Sequence, residues 1–131
     1  MKLLHRVTLE CEKCQWPTNT FCAFDTKQET RLPKGAFRHI ANIHNVETPD
    51  EAYELTNNGS PAVNEHTETG SWVDMPQVTL TEEGQRMVHP ESGSLRSTSV
   101  GDIIIDEEWI WSCDSFGWRE VREDGMFYII L

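Results

Sequence analysis

Two cysteines and two histidines have the spacing of metal ligands. Cys11 and Cys14 are separated by two residues, and two thiolates on such a turn can both bind one tetrahedral zinc ion at about 2.3 Å. His39 and His44 are separated by four residues, a spacing found in the histidine pairs of zinc sites. The 24 residues between Cys14 and His39 exceed the roughly 12 to 15 of a short zinc finger. A structural zinc site is therefore one hypothesis, and small buried cysteines with surface histidines are the other.

Cys113 is a candidate nucleophile, because a thiolate needs only a base within hydrogen-bond reach. His66, His89 and Asp114 are the candidate bases. No local signature of a cysteine enzyme surrounds Cys113, and a cysteine at the end of a tryptophan-rich strand more often packs than reacts. We therefore predict that the protein is not an enzyme and has no catalytic residue.

The segment from Arg96 to Ser99, with Gly101, has the residue types of an anion-binding loop. Its backbone amides could form a nest, and Arg96 could bind an anion through two nitrogens. A phosphate loop follows a strand and opens a helix, and this segment has neither context. We expect its hydroxyl groups instead to cap the turn that directs Val100 into the core.

Aromatic and acidic residues are concentrated in the C-terminal third of the chain. Trp109 and Trp111 share one side of a predicted strand with Cys113, since side chains alternate along a strand. If that side faces the core, the tryptophans are structural. If it faces solvent, an aromatic patch surrounded by acids is typical of a protein-binding site. The candidate partner-binding residues are Asp106, Glu107, Glu108, Trp109, Trp111, Asp114, Trp118, Glu120, Glu123 and Asp124.

The net charge of the chain is negative and unevenly distributed. It totals -11, and residues 1–64 carry 8 acids and 7 bases, whereas residues 65–131 carry 14 acids and 4 bases. A field of this sign repels nucleic acids and anionic membranes and attracts basic surfaces. We therefore expect no direct binding of nucleic acid or membrane, and a partner with a basic surface.

The hydrophobic pattern predicts one α+β domain over residues 1–131, with a mostly antiparallel sheet. Residues 1–31 are expected to form an N-terminal hairpin. The three isoleucines at 103–105 predict a strand that is buried on both faces. A return strand at 109–113 and two further strands at 118–121 and 127–130 complete a C-terminal β-meander. The length of 131 residues and the hydrophobic content of 37% suit a single core.

Two short helices are predicted in the first half, within residues 33–58. The second begins with Thr48 as its N-cap and Pro49 at its first position, and it ends at Asn58 and Gly59. The first has residues on one face at spacings of three and four, namely Phe37, Ile40, Ala41 and His44.

Beyond these helices, turn-forming residues dominate. Residues 57–71 hold little that could enter a core and predict a mobile surface loop. The remaining residues, 72–131, form the acidic β-rich part. Within it, residues 72–80 predict a strand confined to an edge or a bend by Pro76, and residues 82–85 predict a turn.

One stretch resembles a known family. The run Arg96-Ser-Thr-Ser-Val-Gly-Asp102, then a strand, then Asp114-Ser-Phe-Gly-Trp118, is similar to the R-S-x-S-V-x-D, strand, D-S-F-G-F pattern of YodL-like domains. These domains occur in uncharacterised proteins of phages, plasmids and other mobile elements. The resemblance covers residues 95–121, and it departs from the family in Gly101, where many relatives carry serine, and in a short turn at 106–108. It implies a phage or mobile-element origin and no catalytic role for any residue.

These features favour a small acidic phage or mobile-element protein that acts by stoichiometric binding. The specific hypothesis is an anti-defence inhibitor, of the anti-CRISPR or antirestriction kind, that occupies a basic nucleic-acid-binding surface of a host complex. The alternatives are a zinc-stabilised adaptor protein and, less favoured, a cysteine- or metal-dependent enzyme. No cofactor is expected other than this zinc. No apolar run reaches about 18 residues and no secretory signal pattern is present, so the cytoplasm of the host cell is the expected location.

Overall fold

The structure is a computed structural model that describes residues 1–6, 37–107, 109–114 and 117–120. A six-stranded sheet is accompanied by three short α-helices and one turn of 3-10 helix. In chain order these elements are β1 (Lys2–Arg6), β2 (Phe37–Ile43), α1 (Pro49–Leu55), α2 (Pro61–His66), the 3-10 helix (Trp72–Asp74), β3 (Val78–Leu80), α3 (Glu82–Met87), β4 (Ile103–Asp106), β5 (Trp109–Asp114) and β6 (Gly117–Glu120).

The strand order in the sheet is β3-β2-β1-β4-β5-β6. Every neighbouring pair is antiparallel, which confirms the predicted α+β class with a mostly antiparallel sheet. Strand β1 lies near the middle, between β2 and β4, so the first residues of the chain hold the two halves of the sheet together. The isoleucines of β4 are at most 8% exposed, as their unbroken β-branched run predicts. The strands β4, β5 and β6 form the predicted meander as far as Glu120.

The first predicted helix is wrong, because residues Phe37–Ile43 form strand β2. The register between β1 and β2 shifts between Leu3 and Leu4, so that Ala41 pairs with Leu3 and His39 pairs with Leu4. Ile40 is the extra residue of this β-bulge, and a bulge interrupts the alternation of faces. Ile40 and Ala41 are therefore both buried, which produces a spacing that resembles a helical face.

The second predicted helix is confirmed as α1. Thr48 caps it by accepting a hydrogen bond from the amide of Glu51 at 3.2 Å, and Pro49 occupies the first turn. The carboxylate of Glu51 accepts a bond from the amide of Glu47 at 3.0 Å. The bond from Glu51 satisfies one of the first-turn amides that the helix itself leaves unpaired. The buried residue of α1 is Ala52.

The mobile loop predicted for residues 57–71 is also wrong. The segment contains α2, which Ser60 caps through the amide of Val63 at 3.2 Å. Asn58 connects the segment to its surroundings: it accepts a bond from the amide of Trp72 at 2.9 Å and donates one to the carbonyl of Leu95 at 2.9 Å. The segment is thus ordered by polar side chains that satisfy its backbone groups and by Val63, which is fully buried in the core.

Residues 72–88 differ from prediction in two places. The predicted strand is reduced to Val78–Leu80, which pairs with β2 at the edge of the described sheet. The predicted turn is helix α3, with Thr81 as N-cap for the amide of Gly84 at 3.0 Å. A Cβ atom on Gly84 would lie 2.0 Å from the carbonyl oxygen of Ile40, so glycine is what allows α3 to contact β2 so closely.

One face of the sheet packs against the helices. Leu3, Ala41 and Ile104 are register partners and therefore share this face. The core that they form with the helical layer consists of Leu3, Ile40, Ala41, Ile43, Ala52, Val63, Trp72, Met75, Leu95 and Ile104. The hairpin predicted beyond Arg6 and the strand predicted at 127–130 lie outside the described residues. Within the described part, no helix is long and apolar enough to cross a membrane.

Candidate functional site

The segment that resembles the YodL-like pattern is organised by a buried ion pair. Arg96 donates from Nη1 to Asp102 Oδ2 at 2.7 Å and from Nη2 to Asp102 Oδ1 at 2.8 Å. Asp102 is completely buried. Its Oδ1 also accepts the amide of Arg6 at 2.8 Å, and its Oδ2 accepts the amide of Ser99 at 2.8 Å. Each carboxylate oxygen thus has a charged and a neutral donor, which compensates the loss of hydration.

The same contacts argue against the anion-binding hypothesis. Arg96 also donates from Nη2 to the carbonyl of Arg6 at 3.0 Å and from Nη1 to Ser99 Oγ at 3.2 Å. The guanidinium and the Ser99 amide that would bind an external anion are therefore used by Asp102. The segment joins the end of β1 to the start of β4, and its role is to hold these strands.

His5 completes this buried cluster and was missed by sequence reasoning. Its Nε2 lies 3.1 Å from Thr98 Oγ1 and 3.6 Å from Asp102 Oδ2. Burial lowers the pKa of His5 to about 4; Asp102 opposes this shift and Arg96 adds to it. Because burial outweighs the attraction of Asp102, the ring stays uncharged at neutral pH despite its short distance to the carboxylate. The alternation of Leu3 and His5 on one face of β1 was the signal that could have found it.

Cys113 is buried in β5 and does not have the environment of a nucleophile. Burial raises the pKa of its thiol to about 12, with further contributions from Asp102, Asp114 and Asp50. A reactive cysteine needs the opposite, a pKa lowered by positive charge. Of the proposed bases, His66 bonds the carbonyl of Ala62 in its own helix at 2.9 Å. The environment of Cys113 therefore gives no support to a cysteine enzyme.

The two histidines of the hypothetical zinc site lie on or next to β2 and have other contacts. His39 Nε2 is 3.0 Å from Asn42 Oδ1, and His44 Nε2 is 3.1 Å from Thr79 Oγ1. Among the described residues, no three histidine, cysteine, aspartate or glutamate side chains are grouped so that they could hold one metal ion. Cys11 and Cys14 lie outside the described residues, so the zinc-stabilised adaptor stays a prediction.

Four aromatic residues form a strip across the C-terminal strands. Trp109 and Trp111 of β5 stack with ring centroids 6.0 Å apart and an angle of 17° between the rings. Trp118 of β6 pairs with Cys113, so it lies on the same face as the two tryptophans. Tyr53 of α1 meets Trp118 edge to face at 6.4 Å. We call Tyr53, Trp109, Trp111 and Trp118 the aromatic strip.

The outer end of the aromatic strip is open to solvent. Trp109 is 51% exposed and Tyr53 is 38% exposed, whereas Trp111 and Trp118 are partly buried. Trp111 stacks on one side of Trp109, and about half of the Trp109 side chain remains exposed. A tryptophan half exposed in this way leaves a large apolar surface in water, which is typical of a binding surface.

Most of the predicted partner-binding residues meet at this strip. Asp106 is directly opposite Trp109 in the register, and Glu120 is opposite Trp111. Glu107 follows Asp106 in the turn, whereas Asp114, at the end of β5, lies on the opposite face of the sheet from the strip. Sequence reasoning missed Tyr53, which reaches the strip only through tertiary packing. Glu108, Glu123 and Asp124 lie outside the described residues.

The turn between β4 and β5 is short and strained. Asp106 pairs with Trp109, so only residues 107 and 108 connect the strands, and Glu107 has a φ of 51°. Two-residue hairpin turns with positive φ favour asparagine and glycine, and a residue such as glutamate is unfavourable there by about 1–2 kcal/mol. The turn thus carries an exposed acid next to Trp109 at a cost in stability.

Substitution of Glu107 by asparagine is therefore expected to stabilise the fold. We expect Glu107→Asn to raise the free energy of unfolding by about 0.5–1 kcal/mol in urea denaturation, because asparagine tolerates this backbone conformation. Glu65→Asn on the exposed end of α2 removes the same charge without the strained turn and is the control. Equal effects of the two substitutions would mean that charge, and not the backbone, is responsible.

Comparisons with known proteins found no relative of this chain. No family model matches it, and no match was found among curated proteins or among solved structures. The function has therefore to be argued from the residues of the chain itself.

Proposed function

We propose that this protein acts by stoichiometric binding to a basic surface of another protein, through the aromatic strip and its acids. The observation that carries the proposal is the 51% exposure of Trp109, which stacks on Trp111 beside Asp106. Tryptophans often dominate the binding energy of protein interfaces. Acids around them favour a basic partner through complementary charge.

The helical layer strengthens the negative field around the strip. The chain has no lysine or arginine between Arg38 and Arg86, a stretch that includes α1, α2 and β3. Arg38 and Arg86 themselves form ion pairs with Glu83. The acids in this stretch are Glu47, Asp50, Glu51, Glu54, Glu65, Glu68, Asp74, Glu82 and Glu83. A basic partner would thus be attracted from a distance before it contacts Trp109.

The more specific form of the proposal is an anti-defence inhibitor. Its support is the resemblance of residues 95–121 to YodL-like domains of mobile elements, together with the charge. The target of an anti-CRISPR or antirestriction protein is a host complex that binds nucleic acid. An acidic protein that covers the nucleic-acid-binding surface of this complex would prevent nucleic acid from binding by competition. This mode of action needs binding alone and no catalytic residue.

The experiment compares capture of partners by matched variants. Immobilised wild-type protein and three variants, Trp109→Ala, Asp106→Lys/Glu107→Lys and Glu65→Lys/Glu68→Lys, are exposed to the same bacterial lysate, and bound proteins are quantified by mass spectrometry. The two double variants change the net charge equally, but only the first changes the strip. Each captured protein is then purified, and its binding to nucleic acid is measured with and without the wild-type chain.

We expect a basic protein that is retained by the wild type and by Glu65→Lys/Glu68→Lys but lost with the other two variants. Its complex should have a fixed stoichiometry, and its nucleic-acid binding should fall as the chain is added. If every captured protein is lost equally with both double variants, the negative charge acts nonspecifically and the proposal is wrong. A specific partner whose nucleic-acid binding is unaffected would overturn the anti-defence form alone.

A further inference from the structure

Trp109 lies beside two acidic residues at the end of the β4–β5 hairpin, Asp106 and Glu107. Within the part of the chain that the structure describes, neither of their carboxylates forms a hydrogen bond or an ion pair. The Cβ atoms of directly opposite residues in an antiparallel pair are about 4.5–5.5 Å apart, so Asp106 and Trp109 are neighbours on one face of the sheet. Asp106 and Glu107 also border an open cleft of about 480 Å³, whose other lining residues include Lys2, Asn42 and Ile105 on the opposite face of the sheet from Trp109.

We infer that Trp109, Asp106 and Glu107 form a binding site for an arginine side chain of the basic partner. The inference rests on the proposed function and adds the chemistry of its central contact. The guanidinium would stack on the exposed face of Trp109, opposite Trp111, and donate hydrogen bonds to Asp106 or Glu107. Trp109 is 51% exposed and Glu107 is exposed, so a side chain that projects from a partner loop can reach them.

Arginine fits this arrangement better than lysine for two reasons. A flat ring face accepts the planar guanidinium by stacking and by cation–π attraction, whereas an ammonium gains only the second. The guanidinium also keeps donors in its plane while it stacks, so one group can contact Trp109 and a carboxylate together. Lysine would satisfy the negative field without using the geometry of the tryptophan. The expected discrimination is about threefold to tenfold in affinity, since the site is partly exposed.

The test measures binding of two blocked peptides, hexa-arginine and hexalysine, to the full chain by isothermal titration calorimetry at one ionic strength. The resonance of the Trp109 indole NH is followed by NMR in the same titrations. The proteins are the wild type, Trp109→Ala, Trp109→Phe, Asp106→Lys/Glu107→Lys and the control Glu65→Lys/Glu68→Lys. Trp109→Ala removes an exposed side chain, and a thermal melt checks that it remains folded.

We expect the wild type and Glu65→Lys/Glu68→Lys to prefer hexa-arginine about threefold to tenfold, with a shift of the Trp109 resonance that hexalysine does not cause. Trp109→Ala should bind both peptides equally, and Trp109→Phe should keep part of the preference. Equal affinity of the wild type for both peptides, or a preference that persists in Trp109→Ala, overturns the arginine site. If the wild type binds both peptides equally and this binding is lost in Asp106→Lys/Glu107→Lys, the proposed function stands without the arginine site. If neither peptide binds to the wild type, the proposed function and the arginine site are both wrong.

Discussion

Replacement of Asp102 by asparagine is expected to destabilise the protein by about 1.5–3 kcal/mol, the range for lost hydrogen bonds to a charged group. Asp102 is fully buried and accepts four hydrogen bonds, two from the Arg96 guanidinium and two from the amides of Arg6 and Ser99. Asparagine keeps the shape but loses the charge that compensates Arg96, and its amide group would face a donor at one oxygen position. The Arg96 side chain is 35% exposed, so water compensates part of its charge, and the expected cost lies below that of breaking a fully buried pair.

The measurement is urea denaturation of Asp102→Asn, Arg96→Met and the double variant. Because the two residues interact directly, we expect the double variant to be less destabilised than the sum of the single variants. Asp106→Asn is the matched control, since it makes the same change four residues along the chain on a side chain without a partner. A cost for Asp102→Asn within about 1 kcal/mol of the control would show that the ion pair does not hold the strands.

The ion pair depends on the spacing of Arg96, Ser99 and Asp102 in this chain. Arg96 and Asp102 are six residues apart, and the amide of Ser99, midway between them, donates to the same carboxylate. Asp102 donates its own amide to the carbonyl of Ser99 at 3.0 Å, which closes the turn. The residue types could be read from the sequence, but their partners could not, because Arg6 and His5 reach Asp102 from strand β1, more than 90 residues earlier.

The C-terminal strands were the most predictable part of the fold, because their signals are local. The isoleucine run at 103–105 and the alternation of Trp109, Trp111 and Cys113 each need only neighbouring residues to predict a strand. Strand β2 was mistaken for a helix, since the bulge at Ile40 buries two consecutive residues and disguises the period of two. Residues 57–71 were mistaken for a mobile loop because their order comes from hydrogen bonds of Asn58 and Ser60 and from one buried residue, Val63, which together leave no hydrophobic pattern.

The candidate site was predictable as a set of residues but not as a surface. Alternation shows that Trp109 and Trp111 share a side of the strand, yet it does not show whether that side is covered. The answer depends on packing: Trp118 and Tyr53 cover the inner end of the aromatic strip, and Trp109 extends past them at the hairpin tip. Tyr53 joins the strip from a helix more than 50 residues away, which no local pattern could indicate.

Acid is expected to unfold this protein partly through His5. Burial lowers the pKa of His5 to about 4 in the folded protein from 6.5 in the unfolded chain. Between these values the unfolded chain binds a proton that the folded protein does not, so the free energy of unfolding falls as the pH falls. The contribution of His5 is fully present above pH 6.5 and is lost on acidification through the interval down to pH 4. The expected loss is about 3 kcal/mol.

The measurement is urea denaturation of the wild type and His5→Gln at half-unit steps from about pH 7.5 to about pH 4. This range brackets the titration of a histidine. Glutamine can still reach Thr98 but lacks the ring that contacts Trp72, so the variant should be less stable than the wild type at neutral pH. Because glutamine does not bind a proton, the stability of the variant should fall less steeply with acid. His66→Gln removes an exposed imidazole from α2 and is the control. If His5→Gln and the wild type lose stability in parallel over the whole interval, His5 does not bind its proton preferentially in the unfolded chain, and the acid sensitivity belongs to the carboxylates.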